Sequence, residues 1–319
     1  MKILLKISLI LLLGLSNMTA TASPNVVWEP QAGSQELFLS CPIFECLYEG
    51  TRGPGKTDAL LMDYAQFVGQ GFGAAWRGIL FRNEYKHLED VITKSQKWFP
   101  RIFPDATYNE SKYVWKFGTG EKLYFRHAKR ESDYWNYHGH EYPWIAWEEL
   151  TNWADDGLYL KMMSVCRSST PGMPRRYRST CNPFGKGHNW VKARFIDPAP
   201  RGVVVQDEEG RERVCLHGSI WENKILLKND PDYIKNLQSQ SGAVKEAWLY
   251  GNWDIVAGGM FDDVWNKAIH IMEPFEIPAT WRLDRSFDWG SSKPYAVGWW
   301  AESDGCDIKM ADGSTRSTR

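Results

Sequence analysis

The sequence predicts an α/β chain built on a largely parallel sheet. Three observations carry this reading. Short apolar runs alternate with segments of helical spacing, as in parallel sheets joined by helices. A glycine-rich turn lies between the first such run and the first such helix. A later apolar run ends in two adjacent carboxylates, Glu148 and Glu149. At 319 residues the chain is long enough for about two domains. With 43% hydrophobic and 24% charged residues it is globular, not disordered. Its 38 basic and 39 acidic residues give a net charge of -1, which excludes a uniformly basic coat but leaves room for local basic patches. The 6 cysteines form no C-x-x-C pair, which argues against a zinc ribbon or a dense disulfide scaffold.

The elements follow in order. Residues 43–49 read as a strand and 57–68 as a helix that stops at Gly69. Residues 78–81 form a second buried strand and 85–98 a second helix. Residues 113–117 and 122–125 alternate around Gly118-Thr119-Gly120, a hairpin signature. Residues 144–147 and 178–181 are further short strands. Residues 203–205 and 214–220 suggest another hairpin around Glu209-Gly210. Residues 232–250 have helical spacing, interrupted at Gly242. Gly258-Gly259, Pro274 and Pro278 mark an interdomain linker over 258–279. New strands follow at 281–288 and 295–301.

The chemistry starts at Gly50-Thr51-Arg52-Gly53-Pro54-Gly55-Lys56-Thr57, which fits G-x-x-x-x-G-K-[ST]. Glycines let backbone N–H groups curl around phosphate oxygens, Lys56 reaches the outer phosphates, and the Thr57 hydroxyl ligates Mg²⁺. The helix that follows aims its positive end at the same anion. The fold class is then a P-loop NTPase domain with a central, mostly parallel sheet. Such a site also needs carboxylates at a strand end to hold the metal's water shell and activate the attacking water. Trp144-Ile145-Ala146-Trp147-Glu148-Glu149 supplies them, with Glu148 toward Mg²⁺ and Glu149 toward the water. The function implied is Mg²⁺-dependent ATP hydrolysis. Ser179-Thr180-Cys181-Asn182-Pro183 ends another strand; by chemistry alone, a turn at Asn-Pro accounts for it.

The order of these motifs resembles the large terminase subunit of tailed bacteriophages, across roughly residues 26 to 319. The resemblance rests on the arginine-bearing phosphate loop, the Glu148-Glu149 strand end, Ser179-Thr180-Cys181-Asn182-Pro183 at the place of the family's coupling motif, Trp253-Asp254, and Arg282-Leu283-Asp284-Arg285-Ser286-Phe287-Asp288-Trp289-Gly290. It implies an ATPase domain over 26–257 that pumps double-stranded viral DNA into proheads, followed over 280–319 by the start of an RNase H-like α/β nuclease domain. It assigns Arg52 to the γ-phosphate, Thr180 and Asn182 to coupling, Gln31 or Gln35 to the adenine, and Asp288 to the first nuclease metal. A complete nuclease domain would use Mg²⁺ or Mn²⁺. The implied partners are double-stranded DNA, a portal protein, a small terminase subunit and further copies of the chain. Glu148 stands where the family more often has Asp. The later nuclease acids have no counterpart here, so the chain is expected not to cut DNA.

Residues 1–22 pull the other way. Lys2 and Lys6 flank an apolar run that precedes Ala20-Thr21-Ala22, a secretory signal pattern. The run is short for a spanning helix, and no stable membrane partner is expected. A motor needs ATP and cytoplasmic DNA, so the segment reads as spurious or mis-started, and the expected location is the cytoplasm of the bacterial host. Two other functions compete: a different DNA-stimulated P-loop ATPase or helicase, and a secreted, aromatic-rich binding protein. Arg167, Arg175, Arg176, Arg178, Lys186, Lys192 and Arg194 form the most basic region, suited to phosphate contacts or to a solvated face. His138-Gly139-His140-Glu141 would bind metal only on an extended strand.

Overall fold

A computed structural model describes residues 26–240, 242–255, 270–289 and 295–318. The signal-like segment 1–22 and residues 258–269 of the expected linker lie outside the described residues. The chain divides into two compact units, 1–262 and 263–319.

In the first unit the elements run α1 (Ser34–Ser40), β1 (Glu45–Gly50), α2 (Lys56–Ala65), β2 (Arg77–Arg82), α3 (Leu88–Ile102), β3 (Thr107–Asn109), β4 (Val114–Lys116), β5 (Lys122–His127), β6 (Trp144–Glu148), α4 (Gly157–Met162), β7 (Arg176–Thr180), α5 (His188–Val191), β8 (Val205–Gln206), β9 (Glu212–Gly218), α6 (Lys224–Asn229), α7 (Tyr233–Gln238) and α8 (Gly242–Leu249). The nine strands form one sheet in the order β3-β4-β5-β2-β6-β7-β1-β9-β8. The contacts from β5 through β9 are all parallel. Antiparallel β3-β4 and β8 complete the two edges. No helix among the described residues is long and apolar enough to cross a membrane.

The burial pattern explains why the middle strands read as continuous apolar runs. Alternate side chains point to opposite faces, and both faces are covered. On one face Leu80, Leu123, Phe125, Trp144 and Ala146 pack with Leu60, Leu61 and Tyr64 of α2 and Val91 and Phe99 of α3. On the other, Leu47, Ile79, Phe81, Ile145, Trp147 and Tyr177 pack with Leu158, Tyr159 and Met162 of α4. The result is a three-layer α/β/α unit whose strand ends are left to carry loops.

The basic region of the sequence is largely consumed inside this unit, which corrects the reading of it as a phosphate-contacting or solvated face. Arg176 and Arg178 project from β7 and are buried on Asp63 of α2, at 2.6 Å and 3.3 Å. The Trp144 indole donates to the same carboxylate at 2.8 Å. Burial alone would raise the Asp63 pKa; the two guanidiniums override it and hold the carboxyl below its ordinary value. Arg194 makes two bonds of 2.8 Å to Glu45. Lys192 is held by Asp197 and Asp254. Only Arg167, Arg175 and Lys186 of the seven stay exposed.

The second unit holds β10 (Arg282–Asp288) paired antiparallel with β11 (Ala296–Glu302), and β12 (Asp307–Lys309) paired with β13 (Thr315–Ser317). The strands expected at 281–288 and 295–301 are present. Leu283, Phe287, Trp299 and Trp300 are exposed on the first pair. Asp288 ends β10 opposite Ala296 and is exposed. Among the described residues no three or more His, Cys, Asp or Glu are grouped to hold a metal ion. This covers His138, His140 and Glu141, which lie after a short 3-10 turn rather than on a strand.

Candidate nucleotide-binding site

The phosphate loop joins β1 to α2 at the end of the central strands. Gly50 sits at φ +128, where a Cβ would fall on the Gly218 carbonyl of neighbouring β9. Gly55 caps α2 at φ +84, and a Cβ there would strike the Gln35 amide. Both need the left-handed region and the absence of a side chain. The loop is tied to its surroundings by backbone bonds from Thr51 to Gly218 and from Arg52 to Trp248.

Lys56, the first residue of α2, is 7% exposed, and its Nζ folds back to donate to the Thr51 carbonyl at 2.6 Å. Burial lowers its pKa, while Glu149 and Glu49 pull it back up. An ammonium so poorly solvated gains strongly from a nearby anion. Thr57 follows, and its hydroxyl donates to Glu148 Oε1 at 2.5 Å. Glu148 ends β6, buried, with its pKa raised chiefly by that burial and opposed by Arg82. Arg82 Nε stands 3.5 Å from Glu148 Oε2, yet that oxygen makes no hydrogen bond. A carboxylate oxygen left bare beside a threonine hydroxyl is the donor set a magnesium ion and its water shell would take.

Glu149 is the next residue and adopts φ 57, ψ 59, a left-handed conformation uncommon for a side chain of its size. It opens a 3-10 turn over Leu150–Asn152 and faces the same cavity as the phosphate loop. The strand end thus sends two consecutive carboxylates to different surroundings. Glu148 bonds Thr57, while Glu149 lines the cavity together with Lys56.

β7 delivers the two polar residues singled out in its motif. Thr180 stands in register between Glu148 and Tyr48. The Asn182 side chain donates to the Gly50 carbonyl at 2.7 Å, and its own carbonyl accepts the Thr151 hydroxyl at 3.2 Å. Asn182 therefore bridges the phosphate loop and the turn that starts with Glu149. This is more than the turn formation that Asn-Pro chemistry alone suggested.

The cavity has a volume of ≈ 860 Å³ and is lined by Gln31, Gln35, the loop from Arg52 to Thr57, Glu149, Thr180 and Asn182. Its two glutamines differ in commitment. Gln35 donates to the carbonyls of Pro54 and Gly55 at 3.1 Å and 3.0 Å and accepts from Gln31 N at 2.8 Å. Gln31 donates to Asn223, while its side-chain oxygen is buried with no hydrogen bond. Arg52 lies flat on Trp248 of α8, 3.4 Å from the ring centroid, at the cavity wall.

Three residues of this site escaped the sequence reading. Asn223 caps α6, receives Gln31 and donates to the Gly53 carbonyl at 2.5 Å. An Asn ahead of a helical run is a capping signal, but nothing local ties it to the loop. Trp248 and Arg82 carry no motif at all. They act only through the fold, which brings α8 to Arg52 and β2 to Glu148.

No family model and no curated protein matches the sequence. Solved structures match in fold. The chain is similar to the large terminase of a thermophilic bacteriophage at 18% identity and a TM-score of 0.58, with 86% of this chain and 66% of that one covered. The same terminase in complex with ADP gives 18% identity, a TM-score of 0.56 and coverages of 85% and 65%. Its complex with ATP-gamma-S gives 17% identity, 0.52, and 86% and 66%. The chain thus spans 66% of the length of the terminase it matches. The mixed α/β unit with a mostly parallel central sheet and a phosphate loop has the fold of a phage large terminase.

Proposed function

We propose that the chain is the ATP-hydrolysing motor subunit of a viral DNA-packaging machine. The observation that carries this reading is the convergence of Lys56, Thr57 and Glu149 on one cavity, with Glu148 bonded to Thr57 just behind it, at the strand ends of a terminase fold. That the thermophilic phage terminase has been seen with ADP and ATP-gamma-S supports a nucleotide as occupant. A secreted binding protein would leave this convergence without a role.

Each residue then has a task. The N–H groups of Gly50, Gly53, Gly55 and Lys56 cradle phosphate oxygens, while those of Thr51 and Arg52 anchor the loop to Gly218 and Trp248 and Pro54 fixes the turn. The Lys56 ammonium leaves Thr51 for the outer phosphates. Thr57 and Glu148 would hold Mg²⁺, which when bound supplies charge neutralisation at the phosphates. Glu149 orients the attacking water and accepts its proton. Arg52 leaves Trp248 for the γ-phosphate. Gln31, with its free acceptor, reads the adenine amine, while Gln35 stiffens the loop. Thr180 and Asn182 carry the state of the γ-phosphate from Gly50 to the turn after Glu149. The substrate moved is double-stranded DNA, and the partners are a portal protein, a small subunit and copies of the chain, in the bacterial cytoplasm. Residues 26–257 form the ATPase domain, 258–279 the linker, and 280–319 the start of an RNase H-like nuclease domain with Asp288 as its first metal ligand.

The test is Mg²⁺-dependent ATP turnover by the purified chain. Lys56→Ala should abolish it. Glu149→Gln should keep nucleotide binding and lose about 10²–10⁴-fold in rate, since only the general base is removed. Turnover at the parent rate in Glu149→Gln would overturn the assignment.

A further inference from the structure

Cations also gather on the outer hairpin of the sheet, away from the basic stretch at 167–194. Lys116 of β4 and Lys122 of β5 are direct partners in the antiparallel register, and Lys122 is in register with Arg77 of β2. Three positive side chains therefore lie in one row across three strands, about 10 Å long at ordinary strand spacing. Further along β5, Arg126 lies over the Tyr124 ring at 5.1 Å. Its Nη1 is pinned by the carbonyls of Lys112, Tyr113 and Phe125. Lys112, Lys116, Lys122 and Arg126 line a groove of ≈ 550 Å³ whose walls hold no Asp or Glu. Among the described residues none of these cations is in an ion pair. The one acid between the two strands, Glu121, turns inward: it is 0% exposed and accepts from Gly69 N at 2.9 Å.

Like charges placed directly opposite on neighbouring strands destabilise a sheet. Nothing within the described fold compensates Lys116 against Lys122. An anion lying across the row would. Three of the four cations, Lys116, Lys122 and Arg126, are fixed on strands, the groove's charge is of one sign, and the molecule around it is close to neutral, so the attraction is local. We infer that this face of the β4–β5 hairpin is a contact surface for the phosphate backbone of double-stranded DNA. This rests on the packaging reading, which makes DNA the polyanion at hand. The Tyr124 ring is occupied by Arg126, and Tyr85 and Tyr113 pack edge-to-face on each other at 5.1 Å. The aromatics thus brace the cations instead of offering free faces to unstacked bases, which favours backbone contact over base stacking.

The experiment measures binding of the full chain to a mixed-sequence DNA duplex across a series of salt concentrations. Lys116→Gln with Lys122→Gln should weaken binding about tenfold and lower the log–log salt slope by about 1.8, two phosphate contacts at 0.9 each. ATP turnover without DNA should be unchanged, which also reports that the variant folds. Arg175→Gln with Lys186→Gln removes the same charge from exposed positions elsewhere and should alter neither quantity. An unchanged slope in the hairpin variant, or equal losses in the two variants, would overturn the inference while leaving the packaging reading in place. A parent chain that hydrolyses ATP but binds no duplex would instead overturn the packaging reading, and this surface with it.

Discussion

Arg176 and Arg178 in the middle of the sheet and Lys116 and Lys122 at its edge are cations on the same sheet with opposite fates. The middle pair is buried and spent on Asp63. The edge pair, exposed at Lys116 and half-buried at Lys122, faces itself in a groove without acids. The difference teaches that basicity along a chain and basicity presented to a partner are separate quantities. What decides between them is whether an acid from another element arrives at the same place. For Arg176 that acid is on α2, one layer away. For the hairpin the acid lying between its two strands, Glu121, is turned into the core.

The comparison breaks most visibly at Asp63. Removing one member of a buried ion cluster leaves charge without a partner, so Asp63→Ala should cost about 3–5 kcal/mol in chemical unfolding. A loss below about 1 kcal/mol would mean that the two arginines are solvated after all. Acid should report the same cluster. The Asp63 carboxyl is held below its ordinary pKa in the fold. Its contribution is therefore fully present above the unfolded value of about 4 and is lost as pH falls through the depressed one. Asp63→Asn should flatten that part of the stability–pH curve. The smallest effect has the opposite sign. Lys122→Glu turns a repulsive cross-strand pair into an attractive one and should raise stability by about 0.2–1 kcal/mol. Destabilisation by Lys122→Glu would show that the hairpin needs its lysines for folding.

The sheet was legible because its strands are short apolar runs between glycine and proline signals. The expected strands at 43–49, 78–81, 144–147 and 178–181 fall on β1, β2, β6 and β7, and the two expected hairpins on β4-β5 and β8-β9. β3, three residues at an exposed edge, has no such run to betray it. α1 is seven residues long and its apolar side chains, Leu37, Phe38 and Leu39, are consecutive and leave no helical period to count. Within the site, the phosphate loop and the paired carboxylates were legible because their chemistry is local in sequence. The choice between Gln31 and Gln35 was not, because it depends on Asn223, which reaches the loop only through the fold. The fate of Arg176, Arg178 and Arg194 was hidden for the same reason. A run of cations announces charge, while the acids that neutralise it, Asp63 and Glu45, lie on other elements.

The left-handed backbone of Glu149 has a consequence for how this protein would evolve under selection for heat resistance. A non-glycine residue in that region costs about 1–2 kcal/mol, and glycine carries no such penalty there, though it brings up to about 1 kcal/mol of extra chain entropy on unfolding. Glu149→Gly should therefore leave the melting temperature unchanged or raise it, while ATP turnover disappears. A screen for thermostability alone would favour discarding this carboxylate, and a screen for activity would favour keeping the strain. If Glu149 has the proposed role, the two selections pull on one backbone torsion, and at this position stability and turnover are traded against each other.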